Sequence, residues 1–355
     1  MSKILIAGAG GAPSEGVIRS LLQCDKNEDV IGMGSEPTDL ILSAAKRKYY
    51  VPYANTSEYK EGLFKILDKE KPDLIHFQND LEIFHASQFR EEINSLGVKT
   101  YMPDHSVIDC CVHKYKTYLR LNEAGIKVPT NIVLNDEDDL KKAFMELGNS
   151  EGKIWIRASS IGGGGKGSLP TNDFEFAKGW INRYQGWGDF VAAEMLTSNT
   201  VTWLSIWHQG QLIVAQTRIR KGWTHGNRSV SGVTGVTKVG QTFSNTLVDN
   251  IAIETIKAVD NKPHGIYGVD MTYDTNDIPN PTEINISRFF TTVLFFTIAG
   301  LNMPKIFKDI VLYNEFPILE KKINPLQDGL MWLRGMDTTP RLITDKEITK
   351  EIVYL

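Results

Sequence analysis

Cysteine, excess basic charge and long hydrophobic runs are all scarce in this sequence of 355 residues, and each scarcity excludes a class of protein. The three cysteines are Cys24, Cys110 and Cys111, an odd number without the spacing of a zinc site, and two of them are adjacent. Lysine and arginine total 39 against 43 aspartates and glutamates, a formal charge of −4 that argues against nucleic acid or an anionic membrane. We therefore expect a reduced, cytoplasmic protein that binds neither.

The most lipid-like segment is FFTTVLFFTIAG, which begins at Phe289 and is far shorter than the roughly 20 residues that span a bilayer. We interpret it as a buried helix. The opening MSKILIAGAG likewise has too short an apolar run for a signal peptide. A hydrophobic content of 41% with 23% charged residues is typical of a globular enzyme, and the length predicts two or three subdomains.

Strand-like and helix-like segments alternate through residues 1–106. The strands are expected in KILIAG, DVIGMGSE, YYVPY and DLIHFQND, with helices in EGVIRSLLQ, DLILSAAKRK, YKEGLFKILDKEKP and FHASQFREEINSLG. This alternation predicts a doubly wound α/β domain with a parallel sheet. Residues 107–195 hold the helical KYKTYLRLNEAG and a glycine run, and the pattern in residues 196–355 is that of an antiparallel sheet.

The glycine run follows the strand-like IWIR and consists of Gly162, Gly163, Gly164 and Gly165. Ordering four glycines costs backbone entropy, so a turn with a purely structural purpose would rarely use so many. Their N–H groups are accessible to a ligand, and Arg157 and Lys166 add positive charge on either side. We interpret the run as a flap over an anion, most simply a phosphate chain. The alternative is a mobile hairpin tip.

The loop GAGGAPSEG follows the first strand, but a proline replaces the third glycine of a dinucleotide-binding fingerprint. The loop still lies at the carboxyl ends of the strands, where open α/β sheets bind ligands, so we predict substrate contacts from Gly10, Gly11 and Ser14. Asp80 and Glu82 end the fourth strand at the same edge and suggest a cationic or amino acceptor there. Capping of the next helix is an equally good interpretation of this edge.

An acidic hairpin is predicted in GVDMTYDTNDIPNPTEINISRFF, with its turn near Asn276. In a hairpin symmetric about that turn, Asp270 lies directly opposite Glu283, and Asn285 projects from the same face. Opposed carboxylates repel unless a cation lies between them, and two acids with an amide suit a hard cation such as Mg²⁺. The alternative is a pair of solvated acids on a surface hairpin.

Three arginines are candidates for the chemistry of the site. Arg288 closely follows the hairpin and is placed to reach a transferring phosphate or the charge that develops in the reaction. In QTRIRKGW, Arg218 and Arg220 share one strand face, where they would hold a substrate carboxylate or a tetrahedral intermediate. A solvated strand face would show the same spacing. The loop NRSVSGVTGVTKVG is assigned to substrate recognition through Ser231 and Thr234.

These segments, in this chain order, resemble the ATP-grasp superfamily, and within it the synthetase domains of the carbamoyl-phosphate synthetase large subunit. The resemblance runs from about Ile4 to Lys305. It implies an α/β fold in which a doubly wound N-terminal domain precedes a two-part ATP-grasp α+β domain. The N-terminal domain would be 1–106, the linker helix and lid subdomain 107–195, and the β-rich subdomain with a C-terminal extension 196–355.

The resemblance also assigns roles to residues. ATP would be bound by the glycine flap with Lys166 and by Lys114, Arg157, Glu194, Met195 and Leu196. Mg²⁺ or Mn²⁺ would be bound by Asp270, Glu283 and Asn285. The sequence departs from the family pattern twice. No ribose-binding acid follows Glu194, and the usual EINPR reads EINISR, which puts Arg288 one residue late.

The implied function is that of an ATP-dependent carboxylate–amine ligase. ATP would phosphorylate a carboxylate to give an acyl phosphate and ADP, and an amine would then displace the phosphate. The sequence contains neither a glutaminase domain nor a second synthetase half, which favours a single-step enzyme that forms a C–N bond. The alternatives are a carboxyphosphate-forming enzyme and a non-catalytic ATP-binding module. Small-molecule substrates are the implied partners, and such enzymes are often homodimers.

Overall fold

The first part of the chain is a parallel sheet covered by helices on both faces. The computed structural model describes residues 2–24, 28–160, 165, 167–224, 230–231, 235–334, 350 and 352–355. The strands of this first sheet are β1 (Lys3–Ala7), β2 (Asp29–Gly34), β3 (Arg47–Tyr50) and β4 (Leu74–His76). The helices are α1 (Ala12–Cys24), α2 (Pro37–Leu42), α3 (Tyr59–Glu70), α4 (Asp80–Gln88) and α5 (Arg90–Ser95).

The first sheet is doubly wound, as the alternating pattern predicts. Its strand order is β3-β2-β1-β4, so the chain changes direction of winding at β1. Successive side chains of β1 enter different hydrophobic clusters: Leu5 packs in one cluster with α3, and Ile6 packs in the other with α1. Both faces of the sheet are therefore covered, which is why β1 and β2 are almost entirely apolar after their first residues, whereas the edge strand β3 carries Arg47 and Lys48.

Two predicted helices differ from the structure. The helix expected in DLILSAAKRK ends at Leu42, because Arg47 already belongs to β3, where its guanidinium pairs with Asp29 and Glu70. Strand pairing at this position outweighs local helix propensity. The single helix expected in FHASQFREEINSLG is divided at Phe89, whose backbone leaves the helical conformation and separates α4 from α5.

A second, smaller sheet follows two connecting helices. The connecting helices are α6 (His105–Val112) and α7 (Lys114–Glu123). The elements of the second sheet are β5 (Asn131–Val133), α8 (Glu137–Leu147), β6 (Ile154–Ala158), β7 (Leu169–Thr171), α9 (Phe174–Arg183) and β8 (Phe190–Ala193). The order is β5-β8-β6-β7 with antiparallel pairing, and the sheet packs on α8 and α9 through its own hydrophobic cluster. We call this unit the lid.

The third sheet is antiparallel, as the alternation in the sequence predicts. Its elements and associated helices are β9 (Thr200–His208), β10 (Gln211–Trp223), β11 (Thr237–Thr242), α10 (Thr246–Val259), β12 (Gly265–Tyr273), β13 (Pro279–Ile286), α11 (Val293–Ile298), α12 (Met303–Tyr313) and β14 (Met331–Leu333). The strand order is β13-β12-β9-β10-β11-β14. The helix expected from Phe289 begins only at Val293, and Phe289 and Phe290 are buried ahead of it.

The hydrophobic clusters join the first and third sheets and leave the lid separate. One cluster contains Leu5 of β1 together with Trp203 of β9, and the other contains Ile4 with Leu204. The lid cluster contains only residues between 134 and 192 among its buried members. No helix in the described parts of the chain has the length and apolar character needed to cross a membrane. The domain limits at 106 and 195 stay predictions.

Candidate active site

A cavity of about 400 Å³ is bounded by the lid and the third sheet. The lid contributes β6 and the segment after β8, and the third sheet contributes β10, β12 and β13. The lining brings together most of the residues singled out in the sequence: Lys114, Arg157, Gly165, Glu194, Met195, Leu196, Arg218, Arg220, Ser231, Asp270, Glu283, Asn285 and Arg288. Gly162, Gly163, Gly164, Lys166 and Thr234 lie outside the described residues.

The acidic hairpin has the predicted register. Asp270 of β12 lies directly opposite Glu283 of β13, and a bulge follows immediately, so that Met271 faces Pro281. The Asn285 amide donates a hydrogen bond from Nδ2 to Asp270 Oδ2 at 3.2 Å. The amide and both acids therefore lie together at the cavity, and the alternative of solvated acids on a surface hairpin is excluded.

The Asp270 carboxylate is saturated by donors from neighbouring strands. Arg220 Nη2 lies 2.9 Å from Oδ1 and 3.0 Å from Oδ2, and the Thr202 hydroxyl also donates to Oδ1. Burial raises the pKa of Asp270, but the charge of Arg220 and the hydrogen bond from Thr202 outweigh burial, so its pKa lies below the ordinary value. Asp270 is therefore ionised at neutral pH.

Glu283 has different cations beside it. Lys114 Nζ lies 3.8 Å from Glu283 Oε1, and the Glu283 side chain remains 29% exposed. Arg157 is half-buried beside it and donates from Nη2 to the Thr282 carbonyl at 3.3 Å. Burial lowers the pKa of Arg157, and the charge of Glu283 opposes that shift. The two opposed acids are thus each balanced by their own cationic side chains.

The donor set at the hairpin fits a hard divalent cation. The described residues contain no cluster of three or more histidine, cysteine, aspartate or glutamate side chains that could hold a metal ion. The candidate ligands are therefore two carboxylates and one amide, all oxygen donors, which would leave room for phosphate oxygens and water around Mg²⁺. Glu283 is the more accessible of the two acids, since Asp270 already accepts three hydrogen bonds from Arg220 and Thr202.

Several polar atoms around the cavity are buried without a hydrogen-bond partner among the described residues. They are Arg157 Nε, Thr200 Oγ1, Arg218 Nε and Arg220 Nε. Native proteins seldom leave such groups unsatisfied, because each lost hydrogen bond to water costs about 1–3 kcal/mol. Three of the four atoms are guanidinium N–H donors, which anionic groups of a ligand would satisfy.

Arg218 and Arg220 share one strand face, as predicted, but that face is not solvated. Arg218 is fully buried and donates from Nη1 to the Thr237 hydroxyl at 3.0 Å and from Nη2 to the Thr202 hydroxyl at 3.2 Å. Its guanidinium carbon lies 4.7 Å from the centroid of the Phe290 ring. Arg220 lies over an aromatic ring as well, 4.5 Å from the centroid of Trp223. Stacking holds both guanidinium planes in place.

The segment after β8, which the sequence resemblance assigns to ATP binding, lies at the cavity. Glu194, Met195 and Leu196 all line the cavity. The exposed Glu194 side chain accepts a hydrogen bond at Oε2 from the Thr130 N–H at 2.9 Å. The carboxylate thus ties the start of the lid to the end of β8 and leaves the backbone of the next two residues at the cavity.

Arg288 reaches the cavity despite the extra residue in EINISR. Ser287 takes a left-handed conformation with φ of 55°, which absorbs the additional residue, and its N–H donates to Ile266 O at 2.7 Å. Arg288 Nη2 donates to Asn285 Oδ1, beside the candidate metal ligands. Burial alone would lower the pKa of Arg288, but the charge of Asp80 and its hydrogen bonds outweigh burial and raise it.

Asp80 differs from its predicted role. Its carboxylate accepts two hydrogen bonds from Arg288, from Nε to Oδ1 at 2.6 Å and from Nη2 to Oδ2 at 3.1 Å. Because the charge is neutralised within the protein, Asp80 does not present a free acid to a cationic acceptor. The capping alternative applies to Asn79, whose side chain accepts from the Glu82 N–H at 2.8 Å.

The predicted substrate loop is engaged within the protein. Ser14 is buried and its hydroxyl donates to the Ala7 carbonyl at 2.8 Å, while the Gly11 N–H donates to the Gly8 carbonyl at 3.1 Å. At Gly10, φ is +92° and a Cβ would lie 1.8 Å from the Asp39 carbonyl oxygen. None of Gly10, Gly11 and Ser14 lines the cavity. The glycine at position 10 is required by close backbone packing, which the sequence pattern did not distinguish from ligand binding.

The sequence interpretation missed several residues at the site. Thr202 and Thr237 bind the arginines, and Trp223 and Phe290 stack on them. Thr202 is brought to Asp270 by the pairing of β9 with β12, strands that are separated by more than fifty residues of chain. Strand alternation places Thr202 on the same face as Leu204 and Ile206, so the pattern does not mark it as a site residue, and nothing local in the sequence reveals which strand lies beside it.

No protein-family model and no curated protein matches this chain. Several solved structures are similar to it. An L-amino acid ligase from Bacillus licheniformis has a TM-score of 0.66 at 12% identity, over 88% of this chain and 74% of that one. A biotin carboxylase–beta-gamma-ATP complex from Campylobacter jejuni has a TM-score of 0.68 at 15% identity, over 90% of this chain and 72% of that one.

A carboxyaminoimidazole ribonucleotide synthase from Aspergillus clavatus, complexed with ATP, has a TM-score of 0.66 at 16% identity, over 92% of this chain and 80% of that one. Identities this low carry the fold and nothing more specific. The similarity nevertheless covers 88–92% of this chain in all three comparisons, and this protein has the ATP-grasp fold.

Proposed function

We propose that this protein is an ATP-dependent ligase that joins a carboxylate to an amine through an acyl phosphate, with release of ADP and phosphate. The observation that carries the proposal is the cavity between the lid and the third sheet. There an opposed pair of acids is surrounded by cationic side chains, three of which keep a buried N–H donor without a partner. Such a site suits phosphoryl transfer, in which positioning and electrostatic stabilisation supply most of the catalysis.

The nucleotide would lie along the lid side of the cavity. Lys114 and Arg157 would neutralise phosphate charge, and the backbone of Met195 and Leu196 would contact the base. Two of the similar structures are described as complexes with ATP or its beta-gamma analogue, which supports this assignment. The glycine flap predicted in the sequence would exclude water from the reactive intermediate.

Asp270, Glu283 and Asn285 would hold the divalent cation that accompanies ATP. Magnesium bound there would neutralise the charge of the phosphate oxygens during transfer. The chain's own residues would supply the rest: Arg220 keeps Asp270 ionised, and Lys114, 3.8 Å from Glu283, would add positive charge beside the phosphates. A similar structure, the biotin carboxylase domain of the 2-oxoglutarate carboxylase from Hydrogenobacter thermophilus, contains MgADP, which supports this choice of cation.

The carboxylate substrate would bind at the opposite end, beside β10. Arg218 and Arg220 are held there by aromatic rings and by the Thr202 and Thr237 hydroxyls, and each keeps an unused Nε donor. A carboxylate is the ligand that a guanidinium recognises best, and burial strengthens the interaction. Arg288 would then face the charge that develops as the phosphoryl group moves.

A second candidate is a carboxyphosphate-forming enzyme. The same two buried arginines would bind bicarbonate as well as an organic carboxylate, and similar structures include biotin carboxylases. The narrower resemblance to carbamoyl-phosphate synthetase, the cytoplasmic location and the homodimer stay predictions. The proposed partners are a small-molecule carboxylate and a small-molecule amine.

The test is to incubate the protein with Mg-ATP and a pool of metabolites and to identify the nucleotide product. ADP that forms only with particular metabolites would support the ligase, whereas ADP formed with bicarbonate alone would favour the second candidate. AMP would indicate adenylate chemistry and would contradict both. A variant carrying Asp270→Asn and Glu283→Gln should lose turnover, while Asp277→Asn, at the exposed turn of the same hairpin, should keep it.

A further inference from the structure

The carboxyl end of β4 contacts the segment after β13 at two successive residues, although the two segments are far apart in the chain. The first contact is the ion pair between Asp80 and Arg288, in which both side chains are largely buried, at 13% and 14% exposure. Two hydrogen bonds connect the groups, at 2.6 and 3.1 Å, so the guanidinium plane is fixed as well as its position.

The second contact fixes the backbone immediately after Arg288. The side-chain amide of Gln78 pairs with the backbone of Phe289 in both directions: Oε1 accepts from the N–H at 2.8 Å, and Nε2 donates to the carbonyl at 3.2 Å. Gln78 and Phe289 are both buried. On the other side of Arg288, the Ser287 N–H is held by the Ile266 carbonyl. The backbone therefore has no freedom to move the guanidinium.

These contacts use a defined part of the guanidinium. Arg288 has five N–H donors, of which Nε and Nη2 carry three. In the described contacts Asp80 takes one donor from each of these nitrogens, and Asn285 Oδ1 takes the other on Nη2. The two donors on Nη1 are left for a ligand at the cavity, in a direction set by Asp80.

We propose that Asp80, supported by Gln78, is a positioning residue that orients Arg288 toward the transferring phosphoryl group. The inference rests on the proposed function, since it requires Mg-ATP to occupy the cavity. In this arrangement the first sheet takes part in the chemistry by aligning an arginine of the third. An unrestrained arginine would have to give up side-chain entropy when it binds the phosphoryl group, and the ion pair with Asp80 removes part of that cost in advance.

The experiment compares the affinity for Mg-ADP with that for Mg-ADP plus beryllium fluoride, which mimics a transferring phosphoryl group. In the unaltered protein, beryllium fluoride should tighten ADP binding. Arg288→Met should abolish most of this gain. Asp80→Asn should reduce it about tenfold, the loss expected when a hydrogen bond to a charged group is misaligned, while the affinity for Mg-ADP alone stays unchanged.

Asp29→Asn is the matched control. Asp29 also pairs with an arginine, Arg47, at 2.8 Å, but at the first sheet and away from the cavity, so its removal should leave the gain unchanged. Gln78→Leu is a second variant, and it should reduce the gain even if Asp80→Asn folds poorly. If beryllium fluoride tightened ADP binding fully in both Asp80→Asn and Gln78→Leu but not in Arg288→Met, the positioning role of Asp80 would be overturned. The proposed function would be unaffected by that result. Failure of the unaltered protein to bind Mg-ADP would overturn the proposed function and this inference with it.

Discussion

Arg220 and Asp270 form a two-point ion pair at the candidate metal site, with one guanidinium nitrogen 2.9 and 3.0 Å from the two carboxylate oxygens. The same oxygens would bind the divalent cation. The positive charge of Arg220 therefore already lies beside the carboxylate that a metal ion would neutralise. Any metal bound there must share Asp270 with the arginine or take its place, and the released guanidinium would remain stacked on Trp223.

Arg220→Met should destabilise the protein, because Asp270 would keep a buried charge without its partner. The expected loss is about 3–5 kcal/mol in the free energy of unfolding at pH 7, measured with urea. The double variant Arg220→Met with Asp270→Asn should recover part of that loss, since no uncompensated charge remains. If the double variant were no more stable than the single one, the ion pair would not be the source of the effect.

The Asp270 pKa also predicts how stability depends on pH. Because its pKa in the folded protein is below the ordinary value, mainly through Arg220 and against the effect of burial, the stabilisation is present above the pKa of the unfolded chain and is lost as pH falls through the folded pKa. The free energy of unfolding, measured with urea between pH 3 and pH 6, should depend less steeply on pH in the Asp270→Asn variant. Equal slopes in the two proteins would contradict this assignment.

Glu82 predicts the opposite pH dependence in a higher range. Burial raises its pKa from 4.5 to about 7, against hydrogen bonds from Asn79 and Tyr59. The folded protein then binds more protons than the unfolded chain between these values, so stability falls as pH rises from 4.5 to about 7, by about 3 kcal/mol in all. Glu82→Gln should be more stable than the unaltered protein at pH 8, and this advantage should shrink toward pH 5.

Gly10→Ala tests whether the N-terminal loop is structural. The added Cβ would collide with the Asp39 backbone, where the nearest atom is 1.8 Å away, and φ is +92°. We expect a loss of about 3 kcal/mol or more in the free energy of unfolding. Gly97→Ala is the matched control: φ is +81°, but a Cβ would meet no atom within 4 Å, so strain alone should cost about 1–2 kcal/mol. Similar losses in the two variants would mean that the backbone at Asp39 moves aside easily.

Arg218→Met tests the assignment of the carboxylate end of the cavity. Once the carboxylate is identified, kcat/KM for it should fall about a hundredfold, the effect of losing a buried hydrogen bond to a charged group. Binding of Mg-ADP, measured by calorimetry, should stay unchanged, because Arg218 is not among the residues proposed to bind the nucleotide or the metal. If Mg-ADP binding weakened and kcat/KM for the carboxylate fell by no larger factor than that binding did, Arg218 would be assigned to the nucleotide instead.

Much of the hairpin could be predicted because its contacts are local. Asp270 and Glu283 face each other across a turn whose position is visible in the sequence, and symmetry about that turn predicted the pair. The bulge between Asp270 and Met271 was not predicted, although without it the register nearer the turn, in which Met271 faces Pro281, would place Thr282 opposite Asp270. The same holds for Arg218 and Arg220, which lie two residues apart on one strand. Whether that face is solvated depends on the lid and on Phe290, which is why the sequence left both alternatives open.

The contacts that could not be predicted join distant segments. Asp80 and Arg288 are 208 residues apart, and either residue alone has the appearance of a free charge at a site. The role of the glycines near Gly10 was missed for a related reason, since the clash with Asp39 depends on how α2 packs against the loop. A pattern of residue types shows which chemistry is available, whereas tertiary packing determines which groups neutralise each other within the protein.

The separate hydrophobic cluster of the lid has a consequence for how the protein opens. Sheets that share a core can lose their structure only together, and the first and third sheets are in that position. The lid, with its own core, forms an independent cooperative unit, so its amide protons should exchange with deuterium through a partial unfolding of lower free energy. During such an event the cavity would lose its wall at Arg157 while the acidic pair, anchored in the more durable unit, stayed assembled and ready to bind.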